Sequence, residues 1–288
     1  MADNGSSVPR RQLGRMLRKS REEAGIALEA AAEDLEWSRA KMYRLEGGAV
    51  ATRTHDVALM CQLYGTTDEL TKAMVGLARE SKSKGWWHAY GDVLPDWFSL
   101  YVGMEDAATR IREYEPALVP GLLQTPAYAT AVLSSRPGAT AEQVQQAVNL
   151  RIERQKILAR RRPLPPVLEL ILDEAVLRRR ADMMPEQLAH LLTCAALPRV
   201  SLRVLPLATG PHHACLAGAF SILEFAAQRG NIPEPTTIYS ESLTGALYLD
   251  KPGEVATYDE AWRSLTDLAL TEEESAALID DIKEGFDA

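Results

Sequence analysis

Trp37-Ser38-Arg39-Ala40-Lys41-Met42-Tyr43-Arg44-Leu45-Glu46-Gly47-Gly48 is the stretch that decides how the first part of the chain folds. Ser38 suits the capping position of a helix, where its hydroxyl accepts a hydrogen bond from an otherwise free backbone N–H. Gly47-Gly48 is a strong terminator, because glycine takes the left-handed conformation that ends a helix without a Cβ penalty. Between these signals Met42 and Leu45 stand at i, i+3 and face inward. Arg39, Lys41, Tyr43 and Arg44 are left on the other faces, mostly outward.

Upstream, Leu28, Ala31, Ala32 and Leu35 repeat at helical spacing, and their small alanines allow close packing against a neighbour. Leu35-Glu36-Trp37 is the tight connection. A short turn joining a small-residue helix to a short Arg/Lys-bearing helix is the helix-turn-helix arrangement. The major groove of DNA admits one α-helix, and Arg reads guanine through two parallel hydrogen bonds. Around this pair, Leu13, Met16 and Leu17 make a first helix, with Gly25 beyond its end. Val57, Met60, Cys61 and Tyr64 make a fourth, with Thr54 as its expected cap. Leu70, Met74 and Leu77, after Thr67-Asp68, make a fifth.

Residues 1–85 carry 14 Lys+Arg against 12 Asp+Glu, while residues 86–288 carry 18 against 28. Contact with nucleic acid therefore falls to a local basic face in the first segment. The acidic remainder reads first as a solubility feature and second as a surface for another partner. A chain of 288 residues with 46% hydrophobic and 25% charged residues is an ordinary globular composition. At about 100–200 residues per domain it is long enough for two. Arg79 to Gly85 is polar and ends in glycine. The expected division is residues 1–79 as the helix-turn-helix domain, 80–85 as a linker, and 86–288 as a domain for effector or partner binding and dimerisation. No apolar run approaches the roughly 18 residues of a membrane span, and Met1 to Ser7 lacks the regions of a secretory signal. Cys61, Cys194 and Cys215 are odd in number and far apart, so a reduced, cytoplasmic and nucleoid-associated protein is expected.

Trp86, Trp87, Tyr90, Trp97, Phe98 and Tyr101 place six of the 18 aromatic residues within sixteen positions. They read as an interdomain core before a ligand pocket, since aromatics dominate core burial. The rest of the second domain is α+β. A helix is expected from Asp96 to Glu113, followed by an irregular Tyr114–Gln124. Thr125-Pro126 opens a short helix, and a long helix runs from Thr140 to Arg162. Strands are expected at Val167–Asp173, Val200–Leu205, Phe220–Phe225, Thr236–Glu241 and Ala246–Leu249. Helices are expected at Pro185–Leu197, Val255–Ala269 and Thr271–Glu284. The unit near 167–205 has the form of a parallel crossover, and the later strands, joined by short connections, are antiparallel. The fold class is thus an all-α five-helix helix-turn-helix domain followed by an α+β domain with a mixed, mostly antiparallel sheet covered by helices.

Chemistry is thin. His212-His213-x-Cys215 has no second Cys/His cluster nearby in sequence to complete a zinc shell. His190 and Cys194 share a helix face at i, i+4. Asp173-Glu174 are adjacent on a strand end and so do not aim at one centre. Arg160-Arg161-Arg162 and Arg178-Arg179-Arg180 read as exposed helix ends before phosphate or acidic-protein contacts. No GxSxG, HExxH, GxGxxG or GxxxxGK[ST] motif occurs, so neither enzymatic activity, a cofactor nor a metal is expected.

The stretch Leu13 to Gly65 resembles the Xre, phage-repressor type of helix-turn-helix. The matching pieces are Leu17-Arg18-x-x-Arg21, Ala24-Gly25-Ile26, Glu29-x-x-Ala32, Trp37-Ser38-x-x-Lys41-Met42-x-Arg44-Leu45-Glu46-x-Gly48 and Leu63-Tyr64-Gly65. The resemblance implies that Ser38, Arg39, Ala40 and Arg44 face base edges, that Tyr43 reaches base or sugar, and that Lys41 meets phosphate. It makes Arg21 and Glu46 a structural pair tying the first helix to the end of the third. Ala27 and Leu28 stand where that family often has a polar cap and Gln on phosphate, so the expectation is either a lower affinity or a shift of phosphate contacts to Thr52, Arg53 and Thr54. Ala40 replaces a base-reading amide and suits a thymine methyl.

The second domain is similar to the actinobacterial Scr-type, WhiJ-like, antitoxin-like regulators. The similarity is carried by Gly85-Trp86-Trp87, Tyr101-Val102-Gly103-Met104-Glu105, Val119-Pro120-Gly121-Leu122-Leu123-Gln124-Thr125, Arg151-x-x-Arg154-Gln155, Leu172-Asp173-Glu174-Ala175-x-Leu177-Arg178 and Gly218-x-Phe220. It implies a regulator of development or secondary metabolism with a small acidic or BldB-like partner protein. The expected function is a homodimeric transcriptional regulator on double-stranded DNA, whose second domain receives a small molecule or partner protein. The alternative is an antitoxin-like interaction module that chiefly binds a small partner protein.

Overall fold

The computed structural model describes residues 7–50, 52–80, 96–226 and 234–287. These residues form two compact units. The first contains α1 (Ser7–Glu23), α2 (Leu28–Asp34), α3 (Arg39–Glu46), α4 (Thr54–Tyr64), α5 (Asp68–Glu80) and α6 (Asp96–Ala107). Its core gathers the expected apolar positions: Leu13 and Leu17 of α1, Ala31 and Ala32 of α2, Met42 and Leu45 of α3, Val57, Met60 and Cys61 of α4, and Met74 and Leu77 of α5. Gly25 and Gly65, both left-handed, turn the chain after α1 and α4. One boundary differs. Arg53, not Thr54, is the capping residue of α4, and its side chain makes no cap hydrogen bond; Thr54 is the first helical residue. α6 packs on α1, where Arg11 donates to Met104 Sδ. Glu234 belongs to this unit as well, although it is distant in sequence, and it pairs with Arg15. Of the aromatic run, Phe98 and Tyr101 stack with centroids 5.5 Å apart. Trp86, Trp87 and Tyr90 lie outside the described residues.

The second unit is built on a six-stranded sheet of order β3-β2-β1-β4-β5-β6. Its strands are β1 (Arg110–Glu115), β2 (Val167–Asp173), β3 (Val200–Leu205), β4 (Phe220–Glu224), β5 (Thr237–Ser242) and β6 (Gly245–Leu249). β1, β2 and β3 run parallel, and β4, β5 and β6 continue from β1 in antiparallel pairs. Helices α7 (Pro126–Ser134), α8 (Ala141–Gln155), α9 (Glu174–Leu177), α10 (Met184–Ala195), α11 (Pro252–Leu268) and α12 (Glu272–Asp287) complete it. Thr125 caps α7 with Pro126 in its first turn, and Thr140 opens α8 with a reciprocal capping box to Gln143. The mixed sheet and the β2-to-β3 parallel crossover are as the sequence implied.

β1 is the main departure. The helix expected to reach Glu113 ends at Ala107, and Arg110-Ile111-Arg112-Glu113-Tyr114-Glu115 is instead a central strand. Four charges in six residues do not look like a buried strand. They are tolerated because each arginine finds carboxylates on its own sheet face. Arg110 donates two 3.0 Å bonds to Glu169 of β2, and Arg112 pairs with Glu224 of β4 at 2.9 Å and Asp259 of α11 at 2.7 Å. On the opposite face, burial and the carboxylates of Glu113 and Glu241 push Glu115 well above the ordinary carboxylate range, against the opposing pull of Arg151. The helix expected to Arg162 ends at Gln155 and passes through a single tighter turn.

Candidate nucleic-acid interface

The turn between α2 and α3 is made by Glu36, which takes a left-handed conformation at φ 56° without being glycine. Such a residue costs roughly 1–2 kcal/mol, and local hydrogen bonds hold it in place. Glu36 N donates to Glu33 O at 2.9 Å and Trp37 N to Ala32 O at 2.8 Å. The chain then enters α3 at Ser38, whose Oγ accepts from Lys41 N at 3.1 Å. At the far end Gly47 N donates to Tyr43 O and Gly48 N to Leu45 O, with Gly48 at φ +65°. Both start and stop of α3 therefore lie where the sequence set them.

Two devices fix α3 against α1. Arg21 of α1 grips Glu46 of α3 through parallel bonds, Nε to Oε1 at 2.7 Å and Nη2 to Oε2 at 2.8 Å, with both side chains at least nine-tenths buried. The carboxylate, first by hydrogen bonding and then by its charge, holds the guanidinium above its usual pKa. Arg21 Nη1 also donates to Ile26 O at 2.8 Å, so the same group braces the loop into α2. The second device is backbone contact. A Cβ on Gly14 would stand 2.6 Å from Glu46 O and 2.8 Å from Gly48 N, and one on Gly48 would stand 2.7 Å from Arg11 Cα. Only glycine allows this approach. The sequence reading missed Gly14, although a glycine inside the Leu13–Leu17 helical pattern is the signal of a close backbone contact.

The solvent side of α3 presents Ser38, Arg39, Ala40, Tyr43 and Arg44, all exposed. Positions 39, 40, 43 and 44 share one face by helical period. Tyr43 is 73% exposed, unusual for so large an aromatic side chain. Arg39 is ion-paired with Glu29 of α2 at 2.9 Å, but both side chains are mostly exposed. Such a pair contributes at most about 1 kcal/mol, so exchanging Glu29 for a phosphate or a guanine costs little. Lys41 is not on this face. Its Nζ lies 3.3 Å from Asp56 Oδ2 of α4 and 3.3 Å from the centroid of the Trp37 ring. Arg53 is exposed at the start of α4, Thr54 is half-buried beside it, and Thr52 is buried. The uncapped N–H groups there suit an anion.

In the second unit the sequence's chemical suspects have structural occupations. Asp173 Oδ1 accepts from Ala175 N at 2.8 Å. Glu174 pairs with Arg178 and accepts from Leu207 N at 2.9 Å, so the two adjacent carboxylates serve separate partners. His190 and Cys194 do share a helix face, with Nε2 and Sγ 3.4 Å apart. His212 Nε2 lies 3.5 Å from the Tyr114 hydroxyl. Arg180 stands over the Phe286 ring at 5.4 Å. Among the described residues, no three His, Cys, Asp or Glu side chains gather as a metal ion requires, and no helix is long and apolar enough to cross a membrane.

A helix-turn-helix domain family matches residues 12–74, the segment that holds this face. The family described as a domain of unknown function, DUF5753, matches residues 98–281. No curated protein and no solved structure matches the chain. The second match spans more than half of the sequence, and the chain belongs to the DUF5753 family.

Proposed function

We propose that this chain is a transcriptional regulator that binds double-stranded DNA as a homodimer through α3. The observation that carries the proposal is the division of labour within α3. Its inner side is anchored to α1 by a buried bidentate ion pair and glycine-only contact, while its outer side offers Arg39, Tyr43 and Arg44 to solvent. In the bound state Arg39 and Arg44 read base edges, Ser38 and Tyr43 contact bases or sugar, and Ala40 meets a thymine methyl. Arg53 and Thr54 at the start of α4 hold phosphate. Lys41 joins them once it leaves Asp56. Two copies related by a two-fold axis would address half-sites about 34–36 Å apart, one helical turn.

The finer class that we propose is the Xre type, within the Scr-type, WhiJ-like, antitoxin-like regulators of development or secondary metabolism. The protein acts in the cytoplasm on the nucleoid. In this reading the second domain receives a small molecule or a small BldB-like partner protein, and the signal acts by preferring one state of the regulator over another. The decisive experiment selects random duplex DNA on the purified full chain and measures anisotropy on the winner at two salt concentrations. A palindromic motif that is lost in the Arg39→Ala/Arg44→Ala double variant supports the proposal. Enrichment that survives the double variant overturns the assignment of α3.

A further inference from the structure

The charged face of the second unit's sheet holds an open cleft of about 420 Å³ between β1–β3 and α11. This volume lies within the range of small-molecule sites. Strand register builds one wall. Arg112 of β1 is level with Glu169 of β2, and Glu169 with Ser201 of β3; one step along, Ile171 is level with Arg203. Arg112, Ser201 and Arg203 therefore share a sheet face. Trp262, Arg263 and Thr266 of α11 form the opposite wall.

Arginine usage in the cleft is unbalanced. Arg203 spends Nε and Nη2 on the carbonyls of Leu270 and Ala269, both at 2.6 Å. Arg263 spends Nε on Asp259 O. Among the described residues neither guanidinium is in ion-pair contact with a carboxylate; Arg203 acts on Glu274 only through longer-range charge, and Asp267, one turn from Arg263, also lines the cleft. Arg112 meets Glu224 and Asp259 through Nη2. Its Nε is buried with no hydrogen-bond partner, and its guanidinium stands 6.0 Å from the Trp262 ring. A buried donor left unmade is costly, and an arginine fork is shaped for oxyanions. Four arginines, Arg110, Arg112, Arg203 and Arg263, thus outnumber the two carboxylates, Glu169 and Asp267, in the lining of a hollow that has Trp262 on its wall.

We propose that this cleft is a binding site for a small organic oxyanion, a carboxylate or phosphate carried on a flat apolar body. The oxyanion lies between Arg112, Arg203 and Arg263, and the apolar body lies against Trp262. The site exists whether or not α3 reads DNA. Only its use as the receiver of the regulatory signal rests on the function proposed above.

The test is isothermal titration of the full chain with phenyl phosphate and with benzoate, alongside benzyl alcohol as the neutral counterpart. Saturable binding of either anion and none of the alcohol is expected. Arg263→Ala, on an exposed position, and Thr266→Trp, which fills the cleft, should each weaken it at least tenfold. Which anion binds more tightly identifies the oxyanion. The Arg39→Ala/Arg44→Ala variant should bind the anion like the parent, which separates this cleft from a phosphate contact on α3. Absence of saturable binding by both anions overturns the site, as does binding that neither cleft variant weakens. Loss of DNA selection with anion binding intact overturns the DNA-binding function alone.

Discussion

Glu46→Ala should cost the first unit stability before it costs anything in recognition. The parent carboxylate accepts two hydrogen bonds from Arg21, and the side chains are only 4% and 9% exposed. Removing it leaves a guanidinium out of water with one hydrogen bond, to Ile26 O, and a longer contact to Glu22 at 3.8 Å. Breaking a buried pair from one side typically costs about 3–5 kcal/mol. The surviving bond and the better helix propensity of Ala place the loss near the lower end, about 3 kcal/mol. For a unit of this size each kcal/mol moves the midpoint roughly 4–8 °C. A fall of roughly 12–24 °C is therefore expected in the transition that reports α1–α5, followed by circular dichroism of the full chain. DNA affinity should fall with it, because α3 loses the group that fixes its angle. Arg21→Met/Glu46→Leu is the matched control. An apolar pair of similar volume removes the stranded charge, and most of the lost midpoint should return. If Glu46→Ala melts like the parent yet no longer binds DNA, Glu46 is a contact residue and the bracing role is wrong.

Other perturbations probe different parts of the molecule. Arg39→Ala and Arg44→Ala should each cost about 1–3 kcal/mol of specific binding and relax base preference, with the melting midpoint unmoved; anisotropy on matched and mismatched duplexes checks both. Gly14→Ala forces a methyl to within 2.6 Å of Glu46 O, so a loss of about 1–3 kcal/mol is expected in denaturant unfolding, and a neutral result would show that α1 and α3 can part without cost. Asp56→Asn releases Lys41 from its ion pair and should steepen the slope of log K against log salt by about 1; an unchanged slope puts Lys41 outside the interface. Glu115, whose folded pKa is raised above its unfolded value, makes the folded state bind the extra proton, so stability falls as pH rises from about 4.5, by at most about 1.4 kcal/mol per pH unit, until the raised pKa is passed. Glu115→Gln should therefore flatten urea-measured stability between pH 4.5 and 8 and exceed the parent at neutral pH; a parent and variant with the same pH profile would refute the assignment.

What the sequence made legible depended on whether local signals stood alone. α3 was readable to the residue because Ser38 and Gly47-Gly48 punctuate it, and the pairing of Arg21 with Glu46, expected from a resemblance, is present. β2 was readable because the largely apolar run Val167 to Asp173 starts directly after Pro165-Pro166. β1 was not, since its charges become acceptable only beside Glu169, Glu224 and Asp259, which come from three distant segments. The outward residues of α3 were found, but Lys41 was grouped with them because spacing cannot reveal that Asp56 and Trp37 draw its ammonium aside. The arginines of the cleft lie on two strands and a helix separated by more than fifty residues at each step, so no window of sequence contains them together.

The contact of Gly14 and Gly48 separates two kinds of inheritance in α3. The residues that set its tilt, Gly14, Arg21, Glu46 and Gly48, are not the residues that meet solvent, Arg39, Ala40, Tyr43 and Arg44. Substitutions on the outer side leave the scaffold intact. Operator preference in such a protein is therefore free to drift, or to be rewritten by hand, one exposed position at a time and without a compensating change inside.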